Sequence, residues 1–193
     1  HERLGHVETV READGEMLVA GGQHDARIDC AMLARRVELD TTTIMRGKVY
    51  PRLDCYAEGD RRVFSLTGLE GPAPFLDAMK DVARHPVEPF PVRRDGESAS
   101  PEVGEDDPAL LLLERFRATE TAIVVEAAQT GFHQRWEGEI DRLMPMGGNV
   151  NIITTGFHLH IEANLVGRWE ERDGVHHALR PDGRELGLTV RPR

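Results

Sequence analysis

Aromatic side chains make up only 5% of this 193-residue chain, and its cysteines number two, Cys30 and Cys55. So few rings mean that any aromatic-lined ligand pocket must be built from few residues. Both cysteines sit in strand-like segments and read as reduced, half-buried core residues, with a cross-strand pair left open by the sequence. No apolar run is long enough to span a bilayer, which argues against membrane insertion. His1-Glu2-Arg3 has neither the basic nor the apolar region of a signal peptide, so a cytoplasmic location is expected. The missing initiator Met leads to the expectation of a fragment or a processed product. Basic residues are outnumbered, 24 Lys and Arg against 34 Asp and Glu, for a formal charge of −10. Such a surface repels nucleic acid and anionic lipid. There is no phosphate loop, no Gly-x-Gly-x-x-Gly and no metalloprotease helix. Ser65, Ser98 and Ser100 have no local His partner or elbow motif, so hydrolytic and nucleotide chemistry lack support.

What is present is a strand-forming pattern. Hydrophobic residues make up 39% and charged residues 30%, enough to bury a core without staples. From His6 to Val37 short apolar runs alternate with polar positions, punctuated by Gly15 and Gly21-Gly22, as in antiparallel strands joined by tight turns. The pattern resumes from Val49 to Leu69, with Ala57-Glu58-Gly59-Asp60 as a turn. Pro72 and Pro74 open a helical stretch carrying Phe75, Leu76, Met79, Val82 and Ala83 at helical spacing, stopped by Pro86. Five prolines between 85 and 108 mark an extended linker. Asp106-Asp107-Pro108 then starts a second helix, with an acid as N-cap and Leu110 to Phe116 as its apolar body. Strands follow at Ala122–Ala127, Phe132–Trp136, Asn149–Ile153, Phe157–Ile161 and Leu165–Trp169. Asp182-Gly183 turns the chain into a last one, Leu186–Val190.

The two strand-rich halves resemble each other. His1-Glu2-Arg3-Leu4 with Gly5, Val7 and Val10 matches His133-Gln134-Arg135-Trp136 with Gly138, Ile140 and Leu143. Ala26-Arg27-Ile28-Asp29 falls on Leu159-His160-Ile161-Glu162 at the offset that separates Gly5 from Gly138. Ala57 to Arg61 parallels Arg180 to Arg184 at a slightly shorter one. The spacing is too long for a solenoid and reads as a duplicated unit. The expected fold class is α+β: two tandem pseudo-symmetric repeats, each a large antiparallel sheet with few flanking helices. The expected boundaries are 1–85 for the N-terminal repeat and its terminal helix, 86–107 for the linker, and 108–193 for the C-terminal repeat. Where duplicated units meet, a ligand cleft is a favoured outcome.

Gly138-Glu139-Ile140-Asp141-Arg142-Leu143-Met144-Pro145-Met146-Gly147, then Asn149-Val150, Phe157-His158-Leu159-His160-Ile161 and Trp169, resembles the C-terminal repeat of the bacterial haemin-degrading and haem-utilisation family (HemS/ChuS/ChuX-like). His1-Glu2-Arg3, Gly5, Asp25-Ala26-Arg27-Ile28 and Leu53 to Asp60 resemble its N-terminal repeat. The resemblance implies two packed repeats, with haem or a related tetrapyrrole held between them. It also implies an axial His on a helix ahead of the second repeat, and a distal Arg that falls on Arg27. This chain departs from the pattern in three places. It begins where the family's N-terminal helical region would end. The segment of the axial-His helix is the Pro-rich linker, without a His between His85 and His133. A Lys-Pro-Thr segment after the Trp is replaced by Glu170-Glu171-Arg172-Asp173.

Arg27, mid-strand, has a guanidinium suited to a propionate or to iron-bound water, or to a plain edge-strand pairing with Asp25 or Asp29. His158 and His160 lie two apart on one strand, so both imidazoles leave the same face. They suit haem iron, with His160 the expected ligand, or a facing carboxylate that satisfies both rings. His24 is a reserve ligand. His1 and His133 read as backbone hydrogen-bonding residues, and His176-His177 as exposed in a hairpin. Met144-Pro145-Met146-Gly147 reads as a β-bulge or turn, followed by close backbone approach at Gly147-Gly148, rather than as a soft porphyrin contact. The expected function is haem binding for intracellular trafficking or, in an enzyme, for oxidative ring opening. The alternative is a non-catalytic duplicated module that binds no haem and works through protein contacts or another small ligand.

Overall fold

The computed structural model describes residues 1–32, 36–45, 47–58, 61–88 and 101–193. The chain opens with β1 (Glu2–Arg3), β2 (Thr9–Ala13), β3 (Glu16–Gly21) and β4 (His24–Asp29). Next come β5 (Val37–Asp40), β6 (Ile44–Met45), β7 (Lys48–Val49), β8 (Arg52–Ala57), β9 (Arg61–Thr67) and α1 (Pro72–Ala78). After α2 (Pro108–Ala118) run β10 (Ile123–Gln129), β11 (Phe132–Gly138), β12 (Leu143–Met146), β13 (Asn149–Ile153) and β14 (Phe157–Glu162). The last strands are β15 (Arg168–Arg172), β16 (Val175–Leu179) and β17 (Glu185–Pro192). With antiparallel sheets and, among the described residues, two helices, the fold class is the α+β one expected.

Two compact units form, His1–Cys30 with Ala99–Arg193, and Ala31–Ser98. In the first, eight strands join in the order β15-β16-β17-β10-β11-β4-β3-β2, and four in the order β1-β14-β13-β12. The second contains a three-stranded sheet, β5-β8-β9, and the pair β6-β7. In it the buried Asp54 accepts from Ser65 Oγ and faces Arg52 Nε at 2.9 Å. The boundaries 1–85, 86–107 and 108–193 are those expected for repeats, and the compact units are cut at other positions. Most of the linker, residues 89–100, lies outside the described residues, as do Gly59 and Asp60 of the expected turn.

The two halves correspond in strand register. Shifting by the distance from Gly5 to Gly138 turns the β2–β3 pair Val10↔Val19 into the β12–β13 pair Leu143↔Ile152. The same shift turns Met17↔Ile28 into Val150↔Ile161, and Leu18↔Arg27 into Asn151↔His160. It carries Asp14-Gly15 onto Gly147-Gly148, and all four have positive φ (53°, 83°, 62° and 73°). Among two-residue hairpin turns, type I′ has positive φ at both positions, so Asp-Gly and Gly-Gly serve the same kind of turn here. The strand connecting the halves is exchanged reciprocally: β1 pairs with β14, while β11 pairs with β4. Under the shift, Glu2 opposite His158 corresponds to Arg135 opposite Asp25, continuing the register Gln134↔Ala26. The first sequence block is therefore one residue out, with Glu2 matching Arg135 rather than Gln134.

The core of the first unit gathers Leu113, Ile123, Val125, Val150, Ile152, Phe157 and Val190, all fully buried. Trp136 stacks on Phe157 with ring centroids 4.2 Å apart and planes 7° from parallel. Helix α2 lays Ala109, Leu112, Leu113 and Phe116 into this core. The spacing is that of one helical face. Asp107, 3% exposed, caps it: Oδ1 accepts from Ala109 N (2.8 Å) and Leu110 N (3.3 Å), and Oδ2 from Asn164 N (3.0 Å). Trp169 Nε1 donates to Pro108 O at 2.9 Å, tying β15 to the same helix start.

Several local expectations change. Helix α1 ends at Ala78, and Leu76 O and Met79 O accept turn bonds from Met79 N and Val82 N instead. A seven-residue helix with no buried residue has little packing to extend it. Met144-Pro145-Met146 is strand β12, followed by the Gly147-Gly148 turn. His176 is not exposed: it lies in β16 at 7% exposure, its Nε2 accepting from Arg115 Nη2 at 3.2 Å. Cys30 follows β4 in a turn and is exposed, Cys55 is buried in β8, and both are free. Among the described residues no helix is long and apolar enough to cross a membrane.

Two stability predictions follow from these contacts. Asp107→Ala strands two backbone N–H groups at a buried helix start and a third at Asn164, and should cost about 2 kcal/mol. Urea unfolding measures it, and a cost near zero would show that the cap contributes nothing. Burial, with Arg115 adding to it and Glu171 opposing it, holds the His176 imidazole below its ordinary pKa of 6.5. The unfolded state then takes up the proton first, so stability is full above pH 6.5 and falls as pH drops below it. His176→Gln should reduce the loss in melting temperature between pH 7 and pH 5.

Candidate functional site

Strand β14 alternates strictly, because successive side chains of a strand leave opposite faces. Phe157, Leu159 and Ile161 are buried, while His158, His160 and Glu162 face outward. The two outward imidazoles meet edge to face with centroids 5.8 Å apart. Glu2, directly opposite on β1, brings Oε2 to 3.4 Å from His158 Nδ1. On the other flank, Asn151 of β13 lies opposite His160, and its Oδ1 sits 2.6 Å from His160 Nδ1.

That last contact has a definite sense. Asn151 is buried, and its Nδ2 donates to the carbonyls of Met144 (2.9 Å), Met146 (3.0 Å) and Asn149 (2.9 Å). With the amide nitrogen committed, Oδ1 must accept, and His160 Nδ1 carries the proton. The lone pair of Nε2 then has no hydrogen-bond partner among the described residues and is directed away from Asn151. Desolvation holds His160 below its ordinary pKa, opposed by the Glu2 charge and helped by His158. The ring is therefore neutral at pH 7 and competent as a ligand.

Inward of this face, Arg3 of β1 lies against the Phe157 ring, its guanidinium carbon 5.8 Å from the centroid. Its Nε and Nη1 are buried without a hydrogen-bond partner among the described residues. Burial pushes its pKa down to about 10, with Asp25 working the other way, so it keeps its charge at neutral pH.

The remaining expected residues lie on β4. Arg27 is exposed and faces outward with Asp25 and Asp29, on an interior strand between β3 and β11 rather than an edge. It makes no ion pair among the described residues, whereas Asp25 faces Arg135 at 3.7 Å. His24 has the opposite parity and places Nε2 3.1 Å from Gly5 O. The structure thus brings His158 and His160 together and leaves Arg27 and His24 apart from them in bonding, on opposite faces of their own strand. By the repeat shift, Arg27 and His160 occupy the same position in the two copies. Glu2 and Asn151 were missed. Both reach the histidines by strand pairing, which composition and local spacing do not reveal. A shallow hollow at the β2–β3 hairpin, lined by Val10, Met17 and Cys30 among others, contains none of these residues.

Solved structures share this architecture. The heme degrading enzyme ChuS of Escherichia coli O157:H7 superposes with a TM-score of 0.71 over 99% of this chain and 71% of its own, at 13% identity. Holo-PhuS, a heme-binding protein from Pseudomonas aeruginosa, gives 0.65 over 96% of this chain and 70% of its own, at 12% identity. The fold is that of ChuS and PhuS. No protein-family model matches the chain, and no curated protein matches it in sequence. Within this ChuS-like fold, α2 precedes the second half of the chain, where the resemblance implies an axial-His helix, and α2 contains no histidine.

His160 should titrate with a midpoint below 6.5 and remain in the Nδ1–H form when neutral. Long-range proton–nitrogen NMR correlations read both, and an Nε2–H tautomer would overturn the assignment of the Asn151 contact.

Proposed function

We propose that this protein binds haem or a related tetrapyrrole for haem utilisation in the cytoplasm. The observation that supports it most is the position of His160: an outward, neutral imidazole whose Nε2 has no partner among the described residues, on an interior strand of a ChuS-like fold. Asn151 Oδ1 already holds the other nitrogen, as an acceptor behind a ligating histidine generally does. His160 is the residue to hold the iron, with His158 beside it. Arg27 is the cation to meet a propionate, and His24 is held in reserve. Bound haem would supply the redox-active iron, and oxidative ring opening is the reaction expected if the protein is an enzyme. The chain's own contribution is to bind and orient. The two halves are read as tandem repeats with the boundaries 1–85, 86–107 and 108–193.

A second reading rests on α2. A helix that puts its apolar face into the core and contains no histidine favours a duplicated module that has kept the fold and not the haem. Titration with haemin decides between them. Haem binding predicts a saturable Soret shift at stoichiometric haemin, lost in His160→Ala and weakened in Arg27→Ala. A native protein that gives no shift supports the second reading.

A further inference from the structure

Glu2, His158 and His160 each offer a ligand atom, and the three atoms lie within 4.8 Å of one another. We propose that these three side chains bind a single divalent transition-metal ion of the zinc class on the outer face of the β1-β14-β13-β12 sheet. The site does not rest on haem binding; it uses the same His160 Nε2, so the ion and haem iron would exclude one another there.

The donor set is the first argument. Two imidazoles and one carboxylate are an established ligand combination for zinc and for non-haem iron, with further positions left to water or substrate. The Glu2 to His158 separation of 3.4 Å already matches the edge of a tetrahedron with arms of about 2.1 Å. No two of the three atoms are more than 4.8 Å apart, and rotation of the Glu2 and His158 side chains closes the remainder. A plain Glu2–His158 ion pair accounts for two members and leaves His160 Nε2 without a partner among the described residues. An ion uses all three.

The second argument is orientation. Ligating histidines usually donate their other nitrogen to a fixed acceptor, which sets the tautomer and the ring plane. Asn151 Oδ1 does this for His160, and three backbone carbonyls fix Asn151 in turn. A solvent-facing histidine has no need of so constrained a partner.

The third argument comes from the other copy of the repeat. The shift that relates the halves puts Arg135 at the position of Glu2, Asp25 at that of His158, Arg27 at that of His160 and Leu18 at that of Asn151. There, guanidinium groups occupy the corresponding face, and Arg135 pairs with Asp25. The orienting amide is absent together with the ligands. One copy carries its positive charge as side chains, and the other presents donors that an exchangeable cation would satisfy.

The test uses the full chain, haem-free and stripped of metal, purified without a histidine tag. Zinc is titrated by calorimetry, and cobalt(II) is titrated for its visible absorption. The expected result is one saturable site, weakened at least about tenfold by Glu2→Gln and by His158→Ala and abolished by His160→Ala. His177→Ala, a histidine outside the cluster, should leave it unchanged. Circular dichroism confirms that each variant is folded. No saturable uptake, or uptake indifferent to His160→Ala and Glu2→Gln, would overturn the proposal. Haemin titration of the same stripped protein reports the haem reading separately, so either can fail alone.

Discussion

The exchange of strands β1 and β11 is the constraint on which the first unit depends. Each is hydrogen-bonded to a strand from the other half: β1 to β14, and β11 to β4. The exchange closes the core over Phe157, which Trp136 of β11 stacks against from one side while Arg3 of β1 approaches its ring. Non-local pairing of this kind costs loop-closure entropy before it returns any contact. Its return is a continuous eight-stranded sheet and a fully buried ring at the junction. It also explains why residues 1–30 belong to the compact unit of residues 99–193 rather than to the segment that follows them.

Around the same exchange, some features coincide between the two halves and others differ. Backbone register is identical through β2, β3 and β4 and through β12, β13 and β14, and the hairpin turns coincide. Inward positions stay apolar in both copies: Ala26 and Ile28 against Leu159 and Ile161. Outward positions have diverged in charge, with Asp25 and Arg27 against His158 and His160. Packing fixes the first set, because a one-residue slip would expose an entire apolar face. Nothing in the core fixes the second, so those positions were free to acquire chemistry.

That division sets how much could be read from the sequence. Period-two alternation exposed β13 and β14 with nearly correct ends, and Asp107-Pro108 marked the start of α2, because those signals are local. Strand β15 was displaced toward Arg172, since Leu165 packs as a turn residue rather than as a strand start. His176 was misplaced because adjacent His-His next to Gly174 looks polar, whereas Arg115 from α2 makes its burial affordable. The His158–His160 pair was legible from spacing alone. Glu2 and Asn151 were not, since each arrives from a strand whose register is set by tertiary pairing.

A site on β14 also differs physically from one on a helix. Strand β14 is interior, hydrogen-bonded to β1 on one side and β13 on the other. Its backbone cannot shift without breaking both ladders, so its outward side chains have a rigid base. A histidine on α2 would instead have had to leave the apolar face that Ala109, Leu112, Leu113 and Phe116 fill, or point to solvent from the helix's outer side. With α2 committed to the core through that face and through the Asp107 cap, β14 is where this fold can present imidazoles in a fixed arrangement. The flanking strands add what a helix would lack: a carboxylate from β1 on one side and an orienting amide from β13 on the other.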